Sequence, residues 1–417
     1  MKTLYLLVTA FCLSLIPLPG HAFSVLTHEA LVDANWSKVI LPILKEKYPL
    51  STDDELKKAR AFAYGGAVAP DMGYYPFGSK LFTNLVHYVR SGDFIETLFK
   101  EEKNLNEYAF ALGVLCHYMA DKYGHPLATN KSVPIVYPDV RKKYGDEVTY
   151  AEDKVSHLRM EFAFDVLQTA RGNYASQDYH NYIGFQVADT LLATAFASTY
   201  GLEITDVFSN FNRALGTFRW TVKNLFPEIT KAAWVNKKKE IKKSQPGATG
   251  RKFIYRMQRN KYVNEFGNER EKPGLLPNIL SFVIRILPKI GPLKTLKFKI
   301  PGPEAEKLFI QGFDTVLAHY TVYVGNEMPV PAHLEDVDFD TGKRTALGEY
   351  SLADQTYKDL LQKLQDKKFE QVSPALRENI IAFYKNQGAH IATANPEDWE
   401  EINQAIDEMK KSVNTGN

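Results

Sequence analysis

Cysteine is scarce: the 417 residues contain two, Cys12 and Cys116. Cys12 lies in a segment expected to be removed and follows Phe11 rather than a small residue, so it does not read as a lipid-bearing cysteine. The mature chain would keep one thiol and no intramolecular disulfide. Long apolar runs are missing after the first twenty residues, so no spanning helix is expected. There is no internal repeat and no sustained heptad, and neither sign of charge dominates (net +2). With 45% hydrophobic and 24% charged residues, the composition excludes a wholly disordered chain, a collagen-like chain and a disulfide-built miniprotein.

What is present begins with a leader. Lys2, the apolar run Leu4 to Leu18 and then Pro19-Gly20-His21-Ala22 have the order of a signal peptide, residues 1–22, with cleavage expected after Ala22. Phe23 would then be the mature N-terminus of an exported, periplasmic or secreted protein, soluble or peripheral to a membrane. Charge is also unevenly placed. Between Lys237 and Lys299 there are seventeen Lys/Arg and four Asp/Glu, while the remainder holds 34 basic and 45 acidic residues. This basic island contains the apolar stretch Leu275 to Pro288, which reads either as a core helix or as a segment in a membrane interface. The expected organisation is a domain over 23–235, a basic, partly apolar connector over 236–300 and a helical C-terminal region over 301–417.

The fold class expected is all-α and multi-helical. Helical spacing of apolar residues covers Glu29–Leu44, Asp53–Tyr64 after the N-cap pair Ser51-Thr52, Asn106–Tyr123, Ala151–Arg171, Asp178–Tyr200 and Phe208–Trp234. Further patterns lie at Pro303–Gly325, Ser351–Lys367, Pro374–Asn386 and Glu397–Lys411. Gly65 to Gly78 and the proline-bearing Thr129 to Thr149 read as loops. Ala332 to Tyr350 reads as a turn-rich loop; its Asp336, Asp338 and Asp340 resemble part of a calcium loop, but the glycine is misplaced, so they read as a polar turn.

Chemistry concentrates in the first helical region: His28, Asp71, His87, His117, Asp121, His125, His157 and Glu161. His117 with Asp121, and His157 with Glu161, are i,i+4 pairs, which stack two side chains on one helix face about 5–6 Å apart at Cβ. The helix around His117 is apolar almost all round. A carboxylate buried there costs several kcal/mol unless paired or bound to a metal. Each pair by itself is either a hydrogen-bonded core pair or half of a metal site. Taken together, imidazoles and carboxylates spread over several helices are the donor set expected for zinc. His180, His319, His333 and His390 receive no role, and Cys116 reads as a packed thiol.

The stretches THEALV, APD, ALGVLCHYMADKYGHP and HLRMEF resemble the zinc-dependent phospholipase C family, whose fold is shared with zinc-dependent single-strand nucleases. The resemblance covers roughly residues 23–200. It implies a helical domain with up to three zinc ions: one held by Asp71, His87 and His117, a second by Phe23 and His28 with Asp121 bridging the two, and a third by His125, His157 and Glu161. It also implies phosphodiester hydrolysis by a metal-activated water, with Asp71 as catalytic base or orienting group. The aromatic loop Gly73 to Phe77 would sit at the pocket rim. A phospholipid or membrane surface is the expected partner. Single-stranded nucleic acid is the alternative substrate, and a non-catalytic metal-stabilised binding protein is the third reading. No protein partner is inferred.

Overall fold

The Thr52 side chain accepts a hydrogen bond from Glu55 N while the Glu55 carboxylate accepts one from Thr52 N, a reciprocal cap that starts a helix where Ser51-Thr52 places it. In the computed structural model the described residues are 25–171, 173–174, 185–222, 233, 237–243, 297–328, 331, 334–385 and 396–412. The leader, Phe23, most of the basic island with Leu275 to Pro288, and His180, His333 and His390 lie outside them.

The architecture is all-α. The order is α1 (Val25–Asn35), a wider turn over Trp36–Ile40, α2 (Leu41–Lys47), α3 (Asp53–Val68), a tight turn over Ala69–Tyr74, α4 (Lys80–Tyr88), α5 (Ser91–Glu101) and α6 (Leu105–Gly124). A wide turn over His125–Thr129 leads to α7 (Asn130–Val136), α8 (Pro138–Tyr144), α9 (Lys154–Arg171), α10 (Asp189–Tyr200), α11 (Ile204–Val207) and α12 (Phe211–Trp220). The C-terminal extension adds α13 (Pro303–Glu327), α14 (Ser351–Asp366), α15 (Pro374–Lys385) and α16 (Pro396–Lys411). Among the described residues the only β pairing is an isolated bridge between Val337 and Arg344. No described helix is long and apolar enough to cross a membrane.

The centre of the molecule is the pair α3 and α6. Their backbones touch through two glycines: a Cβ on Gly66 would lie 2.0 Å from the Phe110 carbonyl oxygen, and one on Gly113 would lie 2.1 Å from that of Ala63. This explains the first departure from the sequence reading. Gly65-Gly66 suggests a loop, yet α3 runs on to Val68, because glycine is needed there for close approach. The second departure is Thr129 to Thr149, expected as a loop and found largely helical. Pro134 sits inside α7 and cannot donate to the Asn130 carbonyl four residues back. Val148 N takes that carbonyl instead, at 2.9 Å, so the helix survives its proline.

α13 packs along α6, with Tyr320 Oη donating to Leu112 O at 3.0 Å. Arg171, at the end of α9, forms an ion pair with Glu306 of α13. The apolar core is continuous from α1 through α16.

Candidate metal centre

Each functional side chain is delivered by a local device. Asp71 lies in the tight turn that ends α3. Thr83 clips that turn to α4, donating to Pro70 O at 2.7 Å and accepting from Gly73 N at 2.8 Å. His87 is in the last turn of α4, and His117 and Asp121 share a face of α6. His125 heads the turn that follows α6, where Pro126 stands at a position that needs no N–H. His157 and Glu161 share a face of α9. One turn further along α9, Asp165 accepts Leu26 N at 3.1 Å and the Thr27 hydroxyl at 2.7 Å, pinning the start of α1, and with it His28, against the same helix.

These devices bring eight of the nine expected donors together; the ninth, Phe23, lies outside the described residues. They fall into three groups whose donor atoms lie within 4.8 Å of one another: His28, His117 and Asp121; Asp71, His87 and His117; His125, His157 and Glu161. The distances are short across the whole set. His117 Nε2 is 3.1 Å from Asp121 Oδ2, His87 Nε2 is 3.3 Å from Asp71 Oδ1, His28 Nε2 is 3.6 Å from Asp121 Oδ1, and His157 Nε2 is 2.7 Å from Glu161 Oε1. All eight side chains are buried.

Two imidazoles are oriented by main-chain acceptors. His87 Nδ1 is 2.8 Å from Thr83 O and His117 Nδ1 is 2.9 Å from Ala67 O. A carbonyl only accepts, so Nδ1 carries a proton and Nε2 is the nitrogen that faces inward, its lone pair open to a cation once any proton there is released. The Ala67 carbonyl is in place because α3 and α6 are in backbone contact one turn away.

The electrostatics favour a cation. Burial alone would depress the His117 imidazole, but the Asp121 carboxylate, helped by Asp71 and the Ala67 carbonyl, outweighs it and lifts its pKa to about 9. Burial first, then repulsion from Asp121, Asp71 and Asp340, pushes Glu161 well above the usual carboxylate range. Burial and repulsion from the His125 ring push His157 down to about 3. The oxygens of Asp121 and Glu161 are buried and make no well-aligned hydrogen bond with described residues. Buried carboxylates converging on inward-facing imidazole lone pairs fit a site for divalent ions, since a bound cation would satisfy these atoms and relieve the acid–acid repulsion.

Residues 27–210 match the family model described as zinc dependent phospholipase C. Over this segment the chain is similar to that family. Curated proteins and solved structures give no match. All eight described donors fall within the phospholipase C segment.

A ninth buried group in contact with them does not. Asp340, from the turn-rich loop of the extension, sets Oδ1 3.2 Å from His125 Nδ1. Its neighbour Phe339 packs its ring 4.8 Å from that of His87. The sequence reading took Asp340 for part of a polar turn. Its only signal there was an acid in an alternating Asp run, and its partner is 215 residues away. The aromatic loop is divided. Tyr74 is buried 6.5 Å from the His87 ring, Tyr75 is buried against Phe218, and Phe77 is 52% exposed with the Arg213 guanidinium 3.7 Å above its ring. His319 stacks on Tyr123 at 4.0 Å, and Cys116 is a buried free thiol, packed as its place on an apolar helix predicts.

Proposed function

We propose that the protein is an exported zinc-dependent phosphodiesterase acting on phospholipid head groups, in the manner of phospholipases C. The observation that carries this reading is the convergence of eight donors in three groups inside a segment similar to that family. In the proposed assignment Asp71, His87 and His117 hold one ion, His28 a second with Asp121 shared between the two, and His125, His157 and Glu161 a third. The α-amine of Phe23, freed by leader cleavage, completes the second. Bound zinc would supply an acidified water and positive charge toward the phosphoryl oxygens.

The chain's own groups supply the rest. Asp71 sits beside His87 in the first group and is the carboxylate assigned to orient the attacking water or take its proton. Lys154 opens α9 on the face that carries His157 and Glu161. Its ammonium lies 5.0 Å from the Tyr150 ring and 5.7 Å from the Tyr74 ring, and those rings stand against His157 and His87. A cation at this place would attract an anionic phosphodiester. Lipid is favoured over nucleic acid by exposed Phe77 beneath Arg213, an apolar side chain next to a cation, which suits a bilayer interface.

The test is zinc analysis of the purified protein with assays on phosphatidylcholine vesicles and on single-stranded DNA. Bound zinc and lipid hydrolysis are expected, lost on chelation and in His117→Ala. Preference for DNA would replace the lipid reading with a nuclease. Zinc without hydrolysis of either would leave a metal-stapled binding protein, and full activity in His117→Ala would remove the proposed mechanism.

A further inference from the structure

We infer that Asp340 is a positioning residue of the metal centre: it fixes the ring of His125 so that Nε2 faces the third donor group. The inference rests on the zinc reading above and assigns part of that centre to chain outside the family segment.

The geometry is specific to one nitrogen. Asp340 Oδ1 is 3.2 Å from His125 Nδ1, while His125 Nε2 points the other way, 3.7 Å from Glu161 Oε1 and 4.0 Å from Asp121 Oδ1. A carboxylate this close to Nδ1 favours a proton there, which leaves the Nε2 lone pair for a cation and raises its basicity. His87 and His117 use carbonyl oxygens of Thr83 and Ala67 for the same purpose. At His125 the acceptor is a full charge imported from a distant loop.

Asp340 is itself locked in place. Oδ2 accepts the Tyr88 hydroxyl at 2.9 Å and also that of Tyr350, and its main-chain oxygen accepts Asn130 Nδ2 at 2.7 Å. Phe339 N donates to His87 O at 3.2 Å, so the loop is fastened to a donor on each side. Gly342 has φ +69°, and a Cβ there would lie 2.2 Å from Lys122 O; the loop therefore runs against the backbone at the end of α6. A surface turn has no need of such a network. A group that must hold an imidazole within a few tenths of an ångström does.

The test measures zinc affinity by chelator competition on the zinc-loaded protein, comparing wild type with Asp340→Ala, Asp340→Asn and His125→Ala. Asp340→Ala is expected to weaken one ion by about 10–100-fold and leave the others tight. Asp340→Asn keeps an oxygen acceptor for Nδ1–H and should fall between Ala and wild type. The double variant Asp340→Ala/His125→Ala should be no worse than His125→Ala, because both act through one ring. Unchanged affinity in Asp340→Ala, or losses that simply add in the double variant, would overturn the inference. Equal losses in Asn and Ala would make Asp340 a ligand and overturn it too. Should Asp340→Ala fail to fold, Asp340→Asn and the His125 comparison carry the test. Wild type that binds no zinc would instead defeat the proposed function.

Discussion

An imidazole buried against a carboxylate keeps its proton until something stronger displaces it. His117 shows this in numbers: burial works against the charge, Asp121 for it, and the balance is a pKa near 9 against an ordinary 6.5. In the cation-free chain this charged pair contributes stability that is complete below pH 6.5 and disappears as pH climbs through 9. Zinc needs the same nitrogen unprotonated, so it competes with a proton across that window. The rise in melting temperature on adding zinc is therefore expected to grow between pH 6.5 and 9, with protons released on binding. Thermal scans with zinc or chelator, and calorimetry in buffers of different ionisation enthalpy, measure both effects; a zinc increment that is flat across this range would contradict the argument. At this scale the sequence was informative where spacing does the work. His117 with Asp121 and His157 with Glu161 are one helical turn apart, and α-helix geometry fixes such neighbours without knowledge of the fold. Asp340 could not be found that way, because nothing local links it to His125.

Helices place these residues, and one contact between helices sets the frame. α3 and α6 meet backbone to backbone at Gly66 and Gly113, which brings the Ala67 carbonyl to His117 Nδ1. Gly113→Ala would set a methyl against the Ala63 carbonyl oxygen and force the helices apart. We expect a loss of about 1–3 kcal/mol, typical of overpacking, and weaker zinc binding although no donor is changed. Denaturant unfolding with chelator present isolates the first effect, and chelator competition the second. Serine at the same position should behave as alanine does, since the obstacle is the Cβ. The long helices were visible in the sequence from apolar periodicity and caps such as Thr52. The misreadings came from glycine and proline, whose local meaning was overridden by tertiary contacts. Gly65-Gly66 marks a close approach, and the carbonyl orphaned by Pro134 is served by Val148.

Across the whole molecule, the extension is part of the centre's surroundings. Ser91 Oγ donates to Val337 O at 2.8 Å, Tyr118 Oη to Glu335 O at 2.8 Å, and the Lys122 ammonium pairs with Glu335 at 2.6 Å, so the loop before α14 is fastened along α5 and α6 as well as at His125. Zinc binding should therefore quiet this loop as well as its own ligands. Amide hydrogen exchange over Asp336 to Tyr350 is expected to slow about tenfold or more when zinc is added to chelated protein; exchange that is indifferent to zinc would separate the loop from the site. The all-α class and the phospholipase C segment were readable from the sequence, because both rest on periodic or motif-bearing stretches. The loop's role was not, since it depends on a chain reversal across more than two hundred residues. That reversal has a consequence for biosynthesis. A ribosome delivers the last of the clustered imidazoles at residue 157 but does not supply Asp340 until some 180 residues later. On the role inferred for Asp340, a truncated or still-emerging polypeptide therefore carries the clustered imidazoles without the brace for His125, and the full set of groups is present only when translation is nearly over.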